Sequence, residues 1–276
     1  MLLLKEPRQI CSALYKIIFR ELPWSSKNDD DEFEADPLLP HLLNGTQDEI
    51  FCLGMVANWP PPTSSMRTEY EIFLSRVKKL DLFETDSFYL MPFHSLHITV
   101  ATMYPAARVE DMKRRNISTL QVQAKWKEIA LKASNLPEWP KKPFTLQMKT
   151  AQIGSRAGIF LWEEISGGLA TVRSCLTQVV QEESASGETE GGLPAWIEDL
   201  RIPDIVHSTF LRYSKRPTKG TPQSIHDQLQ ESVRVQDIFT KPVEVDSIQL
   251  INCKVYLQDV EDAATLHISL DPSQKT

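Results

Sequence analysis

Two periods of apolar residues organise this chain. Ile50, Phe51, Leu53, Met55 and Val56 make Glu49 to Asn58 read as a strand, which Pro60-Pro61-Pro62 ends. Thr63, Ser64 and Ser65 offer caps for a helix running to about residue 79, with Tyr70, Phe73, Val77 and Leu80 along one face. Phe88 to Thr102 reads as a second strand, stopped by Tyr104-Pro105. Val122, Trp126, Ile129 and Ala133 return to helical spacing, and Phe144 to Lys149 to strand alternation. Gly158 to Glu163 is a short strand placed to pair with it as a hairpin. Leu169, Val172, Leu176 and Val179 predict another helix, and residues 203–213 another strand. Thr221-Pro222 is a helix start with Pro at the first helical position, followed by Ile225, Leu229 and Val233. Val243, Val245, Ile248 and Leu250 read as one strand whose phase shifts at Asp246-Ser247, as a bulge would cause. Leu266 to Leu270 is the last strand.

The ends differ from this core. Within residues 1–23, Ile10, Leu14, Ile17 and Ile18 predict an amphipathic helix packed on the domain; its polar face is not strongly basic, which disfavours a membrane-surface role. Residues 24–47 hold six acidic residues between Asp29 and Asp36, then Pro37 and Pro40, and read as a linker or loop. The folded domain is expected over 48–276, with a Ser/Gly/Glu-rich surface loop at Glu182 to Gly192.

Composition narrows the class. Of the 276 residues 41% are hydrophobic and 24% charged, as in soluble globular proteins. No apolar run approaches the roughly 20 residues that span a bilayer, and Lys5, Glu6 and Arg8 cut short the apolar start. No membrane partner is expected. The net charge of −7 disfavours a duplex nucleic acid footprint, but the acidic run supplies most of it, so a small or short phosphorylated ligand fits. The four cysteines show no CxxC spacing, which suggests buried free thiols in a reducing compartment, cytoplasmic or nuclear.

Two of the strands carry chemistry. His97-Ile98-Thr99 and His207-Ser208-Thr209 each place an imidazole and a hydroxyl two residues apart. On a strand these share a face, with Leu96, Ile98 and Val100, or Val206, Ser208 and Phe210, on the other. Two imidazoles facing one cavity can divide the acid and base roles near neutral pH. The hydroxyls of Thr99 and Thr209 can hydrogen-bond a phosphoryl group. Tyr104 and Tyr213 follow the motifs. Tyr213 shares the parity of His207 and could stack on a base or ribose, though core packing suits it equally; Arg212 faces away by the same parity. Lys215 and Arg216, and the cluster Arg108, Lys113, Arg114 and Arg115, suit solvated turns or phosphate contacts. His94 would face opposite His97, and neither has further ligands at a zinc spacing, so no metal site is expected. His267-Ile268-Ser269 reads as coincidence, and His41 and His226 as surface residues.

The runs His97-Ile98-Thr99-Val100 and His207-Ser208-Thr209-Phe210 resemble the 2H phosphoesterases, named for two H-x-[ST]-apolar motifs. The resemblance covers roughly residues 48–271. It implies an α+β, two-lobed fold, with antiparallel sheets around a central cleft, helices outside and one motif per lobe. That family includes 2′,5′ RNA ligase-like proteins, tRNA-splicing cyclic phosphodiesterases and an exonuclease that trims a spliceosomal small RNA. The implied activity is metal-independent hydrolysis of a 2′,3′-cyclic phosphate or related phosphodiester of a nucleotide or short RNA end, by a monomer without cofactor. One of His97 and His207 would activate water or a ribose hydroxyl, and the other would protonate the leaving oxygen, with Thr99 and Thr209 holding the phosphoryl group. Which His is the base stays open at this level. A non-catalytic nucleotide- or RNA-binding module on the same scaffold is the alternative. An accidental pair of motifs would leave the two histidines far apart.

Overall fold

A computed structural model describes residues 33–44, 50–57, 66–80, 86–186, 200–252 and 264–270. The first half of the chain forms α1 (Leu39–Leu43), β1 (Ile50–Ala57), α2 (Met66–Val77), β2 (Phe88–Leu90), β3 (Ile98–Arg108), α3 (Val109–Arg114) and α4 (Thr119–Ser134). The second half forms β4 (Phe144–Ile153), β5 (Ala157–Glu164), α5 (Gly168–Ser186), β6 (His207–Tyr213), α6 (Pro222–Ser232), β7 (Val243–Val245), β8 (Ser247–Asn252) and β9 (Ala264–Ser269). The strands make two antiparallel sheets, ordered β3-β1-β8-β9 and β2-β6-β5-β4-β7. The first motif leads into and lies on β3 of the first sheet, and the second opens β6 of the other. No helix among the described residues is long and apolar enough to cross a membrane.

The helices follow the apolar periodicity. Tyr70, Phe73 and Val77 of α2, Val122, Trp126, Ile129 and Ala133 of α4, and Leu169, Val172, Leu176 and Val179 of α5 are all buried. Phe73 packs α2 onto the second sheet, its ring centroid 4.8 Å from Phe160 and 5.0 Å from Phe210. Helices α4 and α5 pack on each other and reach β9 and β3 of the first sheet, while α6 covers β4. Thr221 and Ser224 form a capping box at the start of α6, as the Thr-Pro signal predicts.

Three sequence expectations change. The run from Phe88 to Thr102 is not one strand: Pro92 and the tight turn Phe93–Ser95 break it, so β2 joins β6 in one sheet and β3 joins β1 in the other. Strand β3 also runs through Tyr104-Pro105 to Arg108. It is the edge of its sheet, where a proline nitrogen need not donate to a neighbour. Third, the phase shift at Asp246-Ser247 is a change of sheet, from β7 beside β4 to β8 beside β1, rather than a bulge. Each strand then takes its inward face from its own sheet.

The stretch expected as an acidic linker or loop packs on the domain from Phe33 onward. The Phe33 ring meets Tyr213 edge-on at 5.0 Å. Backbone N–H groups of Glu34 and Asp36 donate to Ser155 O and Tyr213 O, each at 2.8 Å. Helix α5 extends to Ser186, which makes the start of the expected Glu182 to Gly192 loop helical. The rest of that loop and the expected N-terminal helix lie outside the described residues.

Gly158 on β5 fixes how β6 sits. A Cβ there would fall 2.7 Å from Phe210 Cζ and 3.0 Å from Ile153 Cδ1. Gly158→Ala is therefore expected to cost about 1–3 kcal/mol through overpacking, readable by denaturant unfolding; a variant as stable as wild type would contradict this packing.

Candidate active site

Each motif is held by local backbone chemistry. The turn Phe93–Ser95 delivers Ser95 O to the His97 ring, whose Nδ1–H donates to it at 2.9 Å. A carbonyl only accepts, so this bond puts the neutral ring's proton on Nδ1 and leaves Nε2 for other partners. Leu96, Ile98 and Val100 are buried beneath, while His97 and Thr99 are half-buried. In the second motif the His207 ring has a backbone hydrogen bond to Ile205, again two residues earlier. Between His207 and Thr209, the buried Ser208 accepts from Trp162 Nε1–H at 3.0 Å.

Past each threonine the strand bulges. Against β1, Met55 pairs with Ala101 but Val56 with Thr99, so Val100 is extra. Against β5, Gly158 pairs with Leu211 but Ile159 with Thr209, so Phe210 is extra. Both bulges bury two residues in succession, Val100 and Ala101, then Phe210 and Leu211. An extra residue reverses the parity of the positions after it. Thr102 and Arg212, five positions after their histidines, therefore return to the histidine face.

This inverts the sequence reading at the end of β6. Arg212 faces the cleft, and Tyr213 points into the core, fully buried beside Phe33 and Phe88, its hydroxyl donating to Gly154 O at 2.8 Å. Tyr104 is also buried, its ring 5.7 Å from Phe51. Neither tyrosine lines the cleft.

The four motif residues meet. His97, Thr99, His207 and Thr209 line one cavity of about 210 Å³, with Thr102 and Arg212 beside them. An adjoining cavity of about 260 Å³ shares His207, Thr209 and Arg212 and extends to Gln152, Arg156 and Ile159. Two antiparallel sheets thus contribute one motif each to a common cleft. This is the α+β arrangement expected from the sequence, two antiparallel sheets around a central cleft. Met91 continues the pairing of β2 with β6 and ties α2 to it: its N–H donates to Phe210 O at 2.9 Å, and its carbonyl accepts from Tyr70 Oη at 2.7 Å. Thr102 and Arg201 exchange two backbone hydrogen bonds, at 2.8 and 2.9 Å, just ahead of the second motif. Behind the cleft, Arg173 of α5 donates to Val100 O at 3.1 Å and to Thr99 O and Ile205 O at 3.0 Å.

The site disfavours protonated imidazole. Burial, then the neighbouring positive charges of His97, Arg212 and Arg173, push His207 down to about 4, against the pull of Ile205. His97 is also lowered, chiefly by burial and further by Arg212, while Ser95 opposes the shift. Acidic residues of the N-terminal stretch meet the cleft arginines: Asp36 lies 3.7 Å from Arg212, and Glu34 2.6 Å from Arg156.

The other candidates stand elsewhere. Arg108, Lys113, Arg114, Arg115, Lys215 and Arg216 are exposed and line neither cavity; Lys215 pairs with Asp86 at 3.7 Å. His94 is exposed on its turn, and His267 is exposed opposite Gln249 on β9. The side chain of His41 lies outside the described residues. His226, expected on the surface, is half-buried and accepts from Ile153 N–H at 3.3 Å. Among the described residues no three His, Cys, Asp or Glu side chains gather where they could hold a metal.

The chain matches no protein-family model and no curated protein. Among solved structures it is similar to TT0787 of Thermus thermophilus, at 15% identity over 79% of this chain and 97% of that one, with a TM-score of 0.43. It is similar to E. coli LigT complexed with 3′-AMP, at 16% identity over 74% of this chain and 88% of that one, with a TM-score of 0.40. Usb1 of Kluyveromyces marxianus is similar at 10% identity over 82% of this chain and 99% of that one, with a TM-score of 0.45.

Proposed function

We propose that the protein is a metal-independent phosphodiesterase that hydrolyses a 2′,3′-cyclic phosphate or related phosphodiester of a nucleotide or short RNA end. The observation that carries this reading is the single cavity lined by both imidazoles and both threonine side chains. A nucleotide-binding module on the same scaffold would have no need of two paired imidazoles.

The electrostatics support one division of the roles. His207, buried and beside the cations Arg212 and Arg173, stays neutral across the physiological range and serves as the general base toward water or a ribose hydroxyl. His97 takes up a proton as the phosphate's negative charge enters the cavity, and returns it to the leaving oxygen. Thr99 and Thr209 donate to the non-bridging oxygens, and Arg212 supplies the positive charge that the developing dianion requires. Binding, orientation and both proton transfers are then met by side chains of this chain.

Hydrolysis of the four nucleoside 2′,3′-cyclic monophosphates in EDTA tests this. Turnover that survives chelation is expected, and the product isomer shows which ribose oxygen leaves. No turnover of these or of RNA ends, with nucleotide still bound, would favour the binding module. The pH profile has an expected sign. Catalysis needs one imidazole neutral and one protonated, and both are held below the usual range, so kcat/KM should rise as pH falls from about 8 toward 5. Loss on the acid side sets in only when the second ring protonates, near 4. A rate that climbs toward alkaline pH would count against the two-histidine assignment.

A further inference from the structure

Arg173 lies in the spacer between the two motifs, next to Val172 on the apolar face of α5. Its guanidinium binds three backbone carbonyls drawn from both motifs. Nε–H donates to Val100 O at 3.1 Å, and Nη2 donates to Thr99 O and Ile205 O at 3.0 Å each. Thr99 faces the cleft, and Val100 is the residue at which β3 bulges. Ile205 is the backbone partner of the His207 ring. A planar guanidinium has several donors in fixed directions and no acceptor, so it can hold separate carbonyls at set positions.

We propose that Arg173 is a positioning residue, which clasps the two motif segments from behind the cleft, fixes the distance between their imidazoles and shares the Ile205 carbonyl with the ring of His207. The proposal rests on the two-histidine reading of the site. A docking role for the helix does not explain this side chain. Leu169, Val172, Leu176 and Val179 already seat α5, and an apolar residue at 173 would dock it without the cost of desolvating a charge. A half-buried cation that satisfies three carbonyls specifies their relative positions instead.

The same charge acts on His207. A carbonyl already bound to a guanidinium is a poorer acceptor for an imidazolium, which favours the neutral ring. His207 is faced by His97 from the approach to β3, by Arg212 from its own strand and by Arg173 from α5. Arg173 in turn is faced by Glu164, which caps the start of α5, and by Asp204.

The test compares wild type with Arg173→Lys and Arg173→Gln, reading melting temperature, kcat and KM on a diester that wild type hydrolyses, and the NMR titration of His207. Lysine keeps the charge but not the planar fork. Its kcat should fall at least about tenfold, with KM changed less than about threefold, and His207 should still titrate low. Glutamine removes both, so kcat should fall as far and the His207 midpoint should rise above its wild-type value of about 4, with burial, His97 and Arg212 still holding it below the usual range. Folded variants with near-wild-type kcat would overturn the proposal, as would a kcat loss that vanishes on cooling below the melting transition. A His207 midpoint that does not move between wild type and a folded Arg173→Gln overturns it as well. If wild type hydrolyses no phosphodiester, the two-histidine reading fails separately, and the titrations still decide the role of Arg173.

Discussion

His207→Ala is expected to lower kcat/KM by about 10²- to 10⁴-fold, the usual worth of a positioned general acid or base, and His97→Ala to lower it by a similar factor. The losses should fall mainly on kcat, because Thr99, Thr209 and Arg212 still line the cavity and can hold the phosphate. The double variant should be little worse than either single one, since the two rings act as a unit and the second contributes little once the first is gone. The pH profile adds a signature that a folding defect would not give. His207→Ala, with only the acid left, should keep the rise in rate toward acid pH as a single titration, whereas His97→Ala, with only the base left, should lose that rise and fall off only near 4. Steady-state kinetics on the same diester, with circular dichroism to confirm the fold, would measure this. If both single variants kept within a few-fold of wild-type kcat, catalysis would lie elsewhere on the protein.

The parts of this site that were legible in the sequence are those governed by regular geometry. Helix faces such as Tyr70, Phe73 and Val77 announce themselves because burial on a helix repeats with its turn, and the structure buries them. The two His-x-Thr pairs are legible because strand alternation holds from His97 to Thr99 and from His207 to Thr209. Alternation fails just beyond, where Val100 and Phe210 are inserted into the ladder. Nothing in the string of β6 itself marks that insertion. The one hint is Gly158 on the neighbouring strand, a glycine inside a strand pattern, where bulges and close approaches collect. Arg173 could have been suspected as a cation beside the apolar stripe of α5. Its partners could not, because they are backbone carbonyls of two segments that meet only in the fold. The passage from β7 to β8 shows a similar limit: a phase shift in sequence looks alike whether a strand bulges or changes sheet.

The bulge at Phe210 makes a pair of opposed predictions. Arg212→Met should lower kcat/KM by about 10- to 100-fold, the range for losing hydrogen bonds to a charged group, chiefly by raising KM for the phosphate. It should also move the acid-side profile upward in pH, because Arg212 is among the charges that hold both imidazoles low. Tyr213→Phe, one residue on, should leave kcat and KM near wild type and cost about 0.5–1.5 kcal/mol of stability, since its hydroxyl serves Gly154 O in the core. Unbroken alternation along β6 would reverse these outcomes, with Tyr213 against the substrate and Arg212 dispensable. One complication is Asp36, whose side chain is only 9% exposed and would lose its partner in Arg212→Met. Arg212→Met combined with Asp36→Asn removes that unpaired charge. If the double variant regained stability but not kcat/KM, the loss would belong to Arg212 acting on the substrate, whereas recovery of both would make its role structural.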